Sequence, residues 1–217
     1  MILAVVGALA RLVFVVAAWR SQNKRLRVYA SILIVVELTF HITNAMELGL
    51  AVRALSGACF IAYPFALLLL VFRPWVVFGY LPFLGAVVVM AIDATSGPPG
   101  AARLGTLVSP LHWTAITCVL VALCPRMVRR AWDVVRYSVG RSVGEPVRLT
   151  EAEIVAFVFC LSDLATAPLI GQRMDGAPQY LVSLVIDPIT FLVAAGYLLA
   201  AGPIQQRLRA VVLASVR

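Results

Sequence analysis

Seven ionisable side chains interrupt otherwise apolar stretches of this 217-residue chain: Arg11, Glu37, His41, Glu47, His112, Asp163 and Asp187. A charged group near the centre of a hydrocarbon layer costs about 2.5 kcal/mol or more, so these side chains are expected to face an interior cavity. Glu37, His41, Asn44 and Leu48 follow one another at spacings of 4, 3 and 4, which stacks them on one helix face. Glu47 lies about 80° round from the line through Glu37, so the stripe offers an acid, an imidazole, an amide and, from its edge, a second acid. Asp163 is followed by Pro168 and Asp187 directly by Pro188. A proline inside a helix frees a backbone carbonyl and can bend the helix round a buried site. Plain structural roles compete for the same residues. Glu37 and His41 can tie their helix to Arg11 or to a neighbour, Glu47 can be an interfacial acid, and Asp163 can make a helix-to-helix hydrogen bond. Arg11 reads as the counter-ion of an internal carboxylate.

Desolvation raises the pKa of an acid, so a buried Glu or Asp can stay protonated near neutral pH and serve as a general acid toward a lipophilic substrate. A second carboxylate or a histidine then removes a proton or stabilises positive charge. Aromatic faces from Trp113 and Tyr180 can steady a cation, with Asn44 as a further substrate contact. Proton-initiated cyclisation of a polyene fits this chemistry. Proton-coupled transport of a small molecule fits many of the same residues, and intramembrane carboxylates do not by themselves choose between the two. No phosphate loop or zinc-protease motif occurs, and Cys59, Cys118, Cys124 and Cys160 show no zinc or redox spacing, so neither metal nor cofactor is expected. A retinal-type receptor would need a lysine in its last span, whereas the one lysine is Lys24.

The elements that would position these groups follow from composition. With 62% hydrophobic and 13% charged residues, the chain has more apolar surface than a soluble 23.4 kDa domain could hide. Apolar runs near the ≈20 residues of a bilayer span recur along its length, predicting an all-α bundle of seven transmembrane helices at roughly 2–19, 29–51, 54–72, 75–92, 104–124, 151–170 and 180–200. These form one integral membrane domain over 1–217, in a multi-pass protein of the cell membrane. Thr150, Glu151 and Glu153 predict a capping box at the start of the sixth helix. With the N-terminus outside, fourteen basic residues fall on the cytoplasmic side against Arg53, Arg103 and Arg173 outside, so the C-terminus is expected in the cytoplasm. Arginines that flank spans argue against a nucleic-acid partner. In 125–149, Met127, Val128, Trp132, Val135 and Tyr137 alternate with arginines in a pattern suited to an anionic lipid surface. In this topology Glu47, His112, Asp163 and Asp187 converge on the outer half of the bundle, with His112 and Asp187 roughly 10–12 Å below the surface.

A basic first loop, Arg20-Ser21-Gln22-Asn23-Lys24-Arg25, then Tyr29 and a second helix with Ala45-Met46-Glu47-Leu48, resembles the small integral membrane terpene cyclases of meroterpenoid, indole-diterpene and bacterial indole-sesquiterpenoid pathways. Met46 and Leu48 stand where that family has aromatic residues, and Asn44 is displaced by one position from the family's asparagine. The resemblance implies a cofactor-independent, non-redox, isomerase-type enzyme. It would cyclise a prenylated, indole-linked lipophilic substrate within the membrane, with Glu47 and Asp187 as its acids and a registration on Glu37 as the alternative. His41 or His112 would accept the departing proton.

Overall fold

The computed structural model describes residues 2–45, 64–73, 89, 98–140, 148–171 and 185–200. Six helices carry them: α1 (Ile2–Arg20), α2 (Lys24–Ala45), α3 (Pro64–Val71), α4 (Pro98–Ser138), α5 (Glu151–Gly171) and α6 (187–200). The all-α class therefore stands. The seven-span bundle does not, because among the described residues no helix is long and apolar enough to cross a membrane. Among the described residues the wholly apolar α3 covers 8 residues and α6 about 21 Å at 1.5 Å per residue, both short of a bilayer span, and ionisable side chains occur within the longer helices, Arg11 in α1, Glu37 and His41 in α2 and Asp163 in α5. The multi-pass localisation and the inside–outside assignment of the termini fall with the spans on which they rested. The expected span at 75–92, residue 89 apart, and all of 46–63 lie outside the described residues.

Local chemistry explains where the helices begin and end. α1 hands over to α2 through a tight turn in which the Ser21 amide bonds the Ala17 carbonyl at 3.1 Å and the Ser21 hydroxyl accepts the Asn23 amide at 3.1 Å. Asn23 then caps α2, its Oδ1 accepting the Arg25 amide at 3.0 Å, so α2 starts at Lys24, ahead of the expected start at 29. α4 continues past Pro110 and Pro125 to Ser138, taking in 125–138 of the arginine-rich stretch 125–149. It ends near Gly140, whose φ of 72° suits a residue without a Cβ. The capping box of α5 forms as its spacing predicts. The Glu153 amide donates to the Thr150 hydroxyl at 3.2 Å, and the Thr150 amide donates to Glu153 Oε2 at 2.8 Å.

The chain divides into two compact units, Met1–Ala30 with Val158–Arg217, and Ser31–Phe157. In the first, an edge-on aromatic core joins Phe14 of α1, Tyr29 of α2, Phe159 of α5 and Phe191 of α6. Phe14 lies 6.2, 5.4 and 5.5 Å from the other three ring centroids. Small residues line the buried sides of α1 and α6, Ala10, Ala17 and Ala18 on one and Ala194 and Ala195 on the other. In the second unit α3 packs on α4, with Leu67, Leu68 and Leu70 of α3 and Ile116, Val119 and Leu123 of α4 buried.

Candidate functional site

The first unit holds a polar cluster beside its aromatic core. Gly7 opens it: a Cβ at this position would lie 3.2 Å from Arg11 Nη1 and 3.6 Å from Pro188 Cγ, so its absence gives the guanidinium and the start of α6 their room. Arg11 Nη2 lies 3.9 Å from Asp187 Oδ2, with side-chain exposures of 19% and 34%. The same guanidinium sits 5.2 Å from the Phe191 ring centroid, one turn along α6 from Asp187, so a cation–π contact and an ion pair hold one charge. Pro188 directly follows Asp187, where a π-helical stretch at 185–186 passes into the α-helix of 187–200.

Asp163 of α5 completes the cluster. Burial, and then the neighbouring Asp187 charge, push its carboxyl from an ordinary 3.8 up to about 7. Beside it, Ser162 and Thr190 share a hydrogen bond of 2.7 Å between α5 and α6. Thr190 Oγ1 also lies 2.9 Å from the Ile186 carbonyl, which can only accept. A hydroxyl has one proton, so Thr190 gives its own to Ile186 and Ser162 is the donor between the two side chains. The cluster thus contains two carboxyls and one guanidinium. It is neutral when Asp163 is protonated and carries one negative charge when it is not.

The second unit has its own ion pair. Arg126 of α4 pairs with Glu153 of α5, and Arg126 Nη2 donates to the Arg148 carbonyl at 2.9 Å. Burial pushes the Glu153 carboxyl up, but the Thr150 amide, the Arg126 and Thr150 side-chain bonds and the Arg126 charge outweigh it and hold the pKa below its ordinary 4.5. His112 of α4 meets the Trp113 ring edge-on at 5.3 Å, and burial lowers its pKa.

No family model, curated protein or solved structure matches this chain. The resemblance to seven-span membrane terpene cyclases is accordingly set aside, since among the described residues no helix is long and apolar enough to cross a membrane. The reading as a membrane-bound cyclase goes with it. Both intramembrane cyclisation and proton-coupled transport require helices that traverse the bilayer, and the described helices do not.

Of the residues singled out by sequence, Arg11, Asp163 and Asp187 come together in the first unit. His112 and Trp113 belong to the second. Glu47 and Tyr180 lie outside the described residues, as do the side chains of Glu37, His41 and Asn44. Among the described residues the acid coupled to Asp187 is Asp163; the expected pairing of Asp187 with Glu47 lies outside them. Ser162, Thr190, Gly7 and Phe191 went unrecognised, although Ser162 adjoins Asp163 and Thr190 stands three residues after Asp187 on the same helix face. Among the described residues no group of three or more His, Cys, Asp or Glu side chains is arranged to hold a metal ion.

Proposed function

We propose that this chain is a proton-responsive binding protein for lipophilic molecules. The observation that carries the reading is that α1 and α6 each have two opposed faces. Inward, they bear Arg11 and Asp187. Outward, α1 exposes Val5, Leu9, Leu12, Val16 and Trp19 at spacings of 4, 3, 4 and 3, and α6 exposes Ile189, Leu192, Val193 and Leu199. Contiguous apolar surface of this kind marks a site for an apolar partner, and the alkyl faces suit a long hydrocarbon such as a prenyl chain. Among the described residues the charged groups facing the cluster are Arg11 from α1, Asp163 from α5 and Asp187 from α6. Losing the Asp163 proton leaves a net negative charge between the helices that carry the apolar faces. Ligand affinity is thereby linked to protonation.

Binding of a dansyl-labelled farnesyl probe to the full chain, followed by fluorescence from pH 6 to 8, tests this reading. Affinity should fall by about tenfold as pH rises, a coupling of ordinary size, and Asp163→Asn should keep the tighter binding at both ends. Leu12→Gln should weaken the probe at every pH without altering the slope. A chain that ignores the probe, or that covers these faces by pairing with a second copy as judged by sedimentation, would refute the proposal.

A further inference from the structure

The last turns of α4 carry a second, differently built surface. Val128, Trp132 and Val135, with Val139 just past the helix end, where its amide still bonds the Val135 carbonyl at 3.2 Å, recur at spacings of 4, 3 and 4, which aligns them in one stripe, and all four are exposed, Trp132 at 57%. Arg129 and Arg136, also exposed, each follow a stripe residue by one position and so flank the stripe along one edge, with Arg130 farther round. Arg136 lies 5.9 Å from the Trp132 ring centroid, which holds the indole and the cation side by side. Asp133 is the one acid in this stretch. We infer that the segment 128–139 is a docking surface for anionic lipid, with Val128, Trp132, Val135 and Val139 entering the headgroup boundary and Arg129 and Arg136 meeting the acidic headgroups.

Two features choose this partner. Exposed arginines alone would suit any polyanion, and it is the apolar stripe beside them that needs a depth of hydrocarbon. A nucleic acid offers phosphates but no such layer for the valines. The surface lies in the second unit and uses none of the Arg11, Asp163 and Asp187 cluster, so it stands or falls separately from the proposed binding of lipophilic molecules.

Co-sedimentation of the full chain with phosphatidylcholine vesicles, with and without phosphatidylserine, reads the proposal directly. Partitioning should rise with phosphatidylserine and weaken in high salt. Each arginine removed should lower the phosphatidylserine-dependent partitioning by about fivefold, so Arg129→Gln with Arg136→Gln should lose about 25-fold. Val135→Asn should weaken binding while leaving the salt dependence in place. Because these side chains are exposed, the variants are expected to keep the native circular dichroism, and a variant that does not is replaced by Arg129→Lys with Arg136→Lys, which should retain the binding. Equal partitioning onto both vesicle types, an unaffected double variant, or a poly-glutamate or RNA competitor that displaces the chain as readily as phosphatidylserine vesicles capture it would each overturn the assignment.

Discussion

Arg11 and Asp187 form the tie between α1 and α6, 3.9 Å apart, with Phe191 beneath the guanidinium at 5.2 Å. The charge is partly screened by solvent, so the pair's strength rests on what else faces it. Asp187→Asn leaves Arg11 over the ring without its carboxylate and should cost about 1–3 kcal/mol, less than a fully buried pair. The change also removes the second of the two causes raising Asp163, whose pKa should fall yet remain above 3.8, since burial is the larger cause. Urea unfolding gives the first effect, and carbon-13 titration of Asp163 gives the second. A titration left where it stands in the unsubstituted chain would show that the two acids do not interact.

Asp163 itself predicts a pH dependence with a definite sign. Its folded pKa of about 7 exceeds the ordinary 3.8, so the folded state binds the proton more tightly than the unfolded chain does. The contribution is fully present below pH 3.8 and is lost as pH rises to about 7, with an upper bound of about 4 kcal/mol that partial exposure reduces. Asp163→Asn should therefore be more stable than the unsubstituted chain at pH 8 and close to it at pH 4. Melting temperatures of the two measured in parallel from pH 4 to 8 check this, and parallel curves would contradict it.

Glu153 carries the opposite sign. Its carboxyl is held below 4.5, so its contribution is present above pH 4.5 and is lost as pH falls through the lowered value. Glu153→Gln keeps a side chain able to complete the capping box but drops the Arg126 charge pair, at a cost of about 1 kcal/mol at pH 7. Glu153→Ala loses cap and pair together and should cost about 2–3 kcal/mol. Equal losses in the two variants, read by urea midpoints, would mean that the Arg126 pair contributes everything and the cap nothing.

Gly7 sets two effects against each other. An alanine here gains about 0.8–1 kcal/mol of helix propensity, while its Cβ would crowd Arg11 Nη1 from 3.2 Å. The crowded atom is the tip of a flexible side chain, so Gly7→Ala should change stability by less than about 1 kcal/mol. Gly7→Leu, which must also displace Pro188, should cost 2 kcal/mol or more. Thermal melts distinguish the two.

The sequence alone determined the helical class, the extent of α1, the start of α5 and its capping box, and the need of Arg11 for a carboxylate. All of these depend on neighbours in the chain: hydrophobic runs, the Thr150 to Glu153 spacing, and the expense of a lone guanidinium among apolar side chains. It also suggested membrane spans from apolar runs, whereas among the described residues no helix is long and apolar enough to cross a membrane. Tertiary structure decided the rest. Asn23 starts α2 early, and α4 runs on through Pro125. Asp163 is coupled to Asp187 because partners 24 residues apart meet only when α5 and α6 pack side by side, and Glu47 lies outside the described residues. The proximity of Gly7 to Pro188, and of Phe14 to Phe159 and Phe191, is likewise invisible along the chain, since each joins residues whose separation in sequence says nothing about their distance in space.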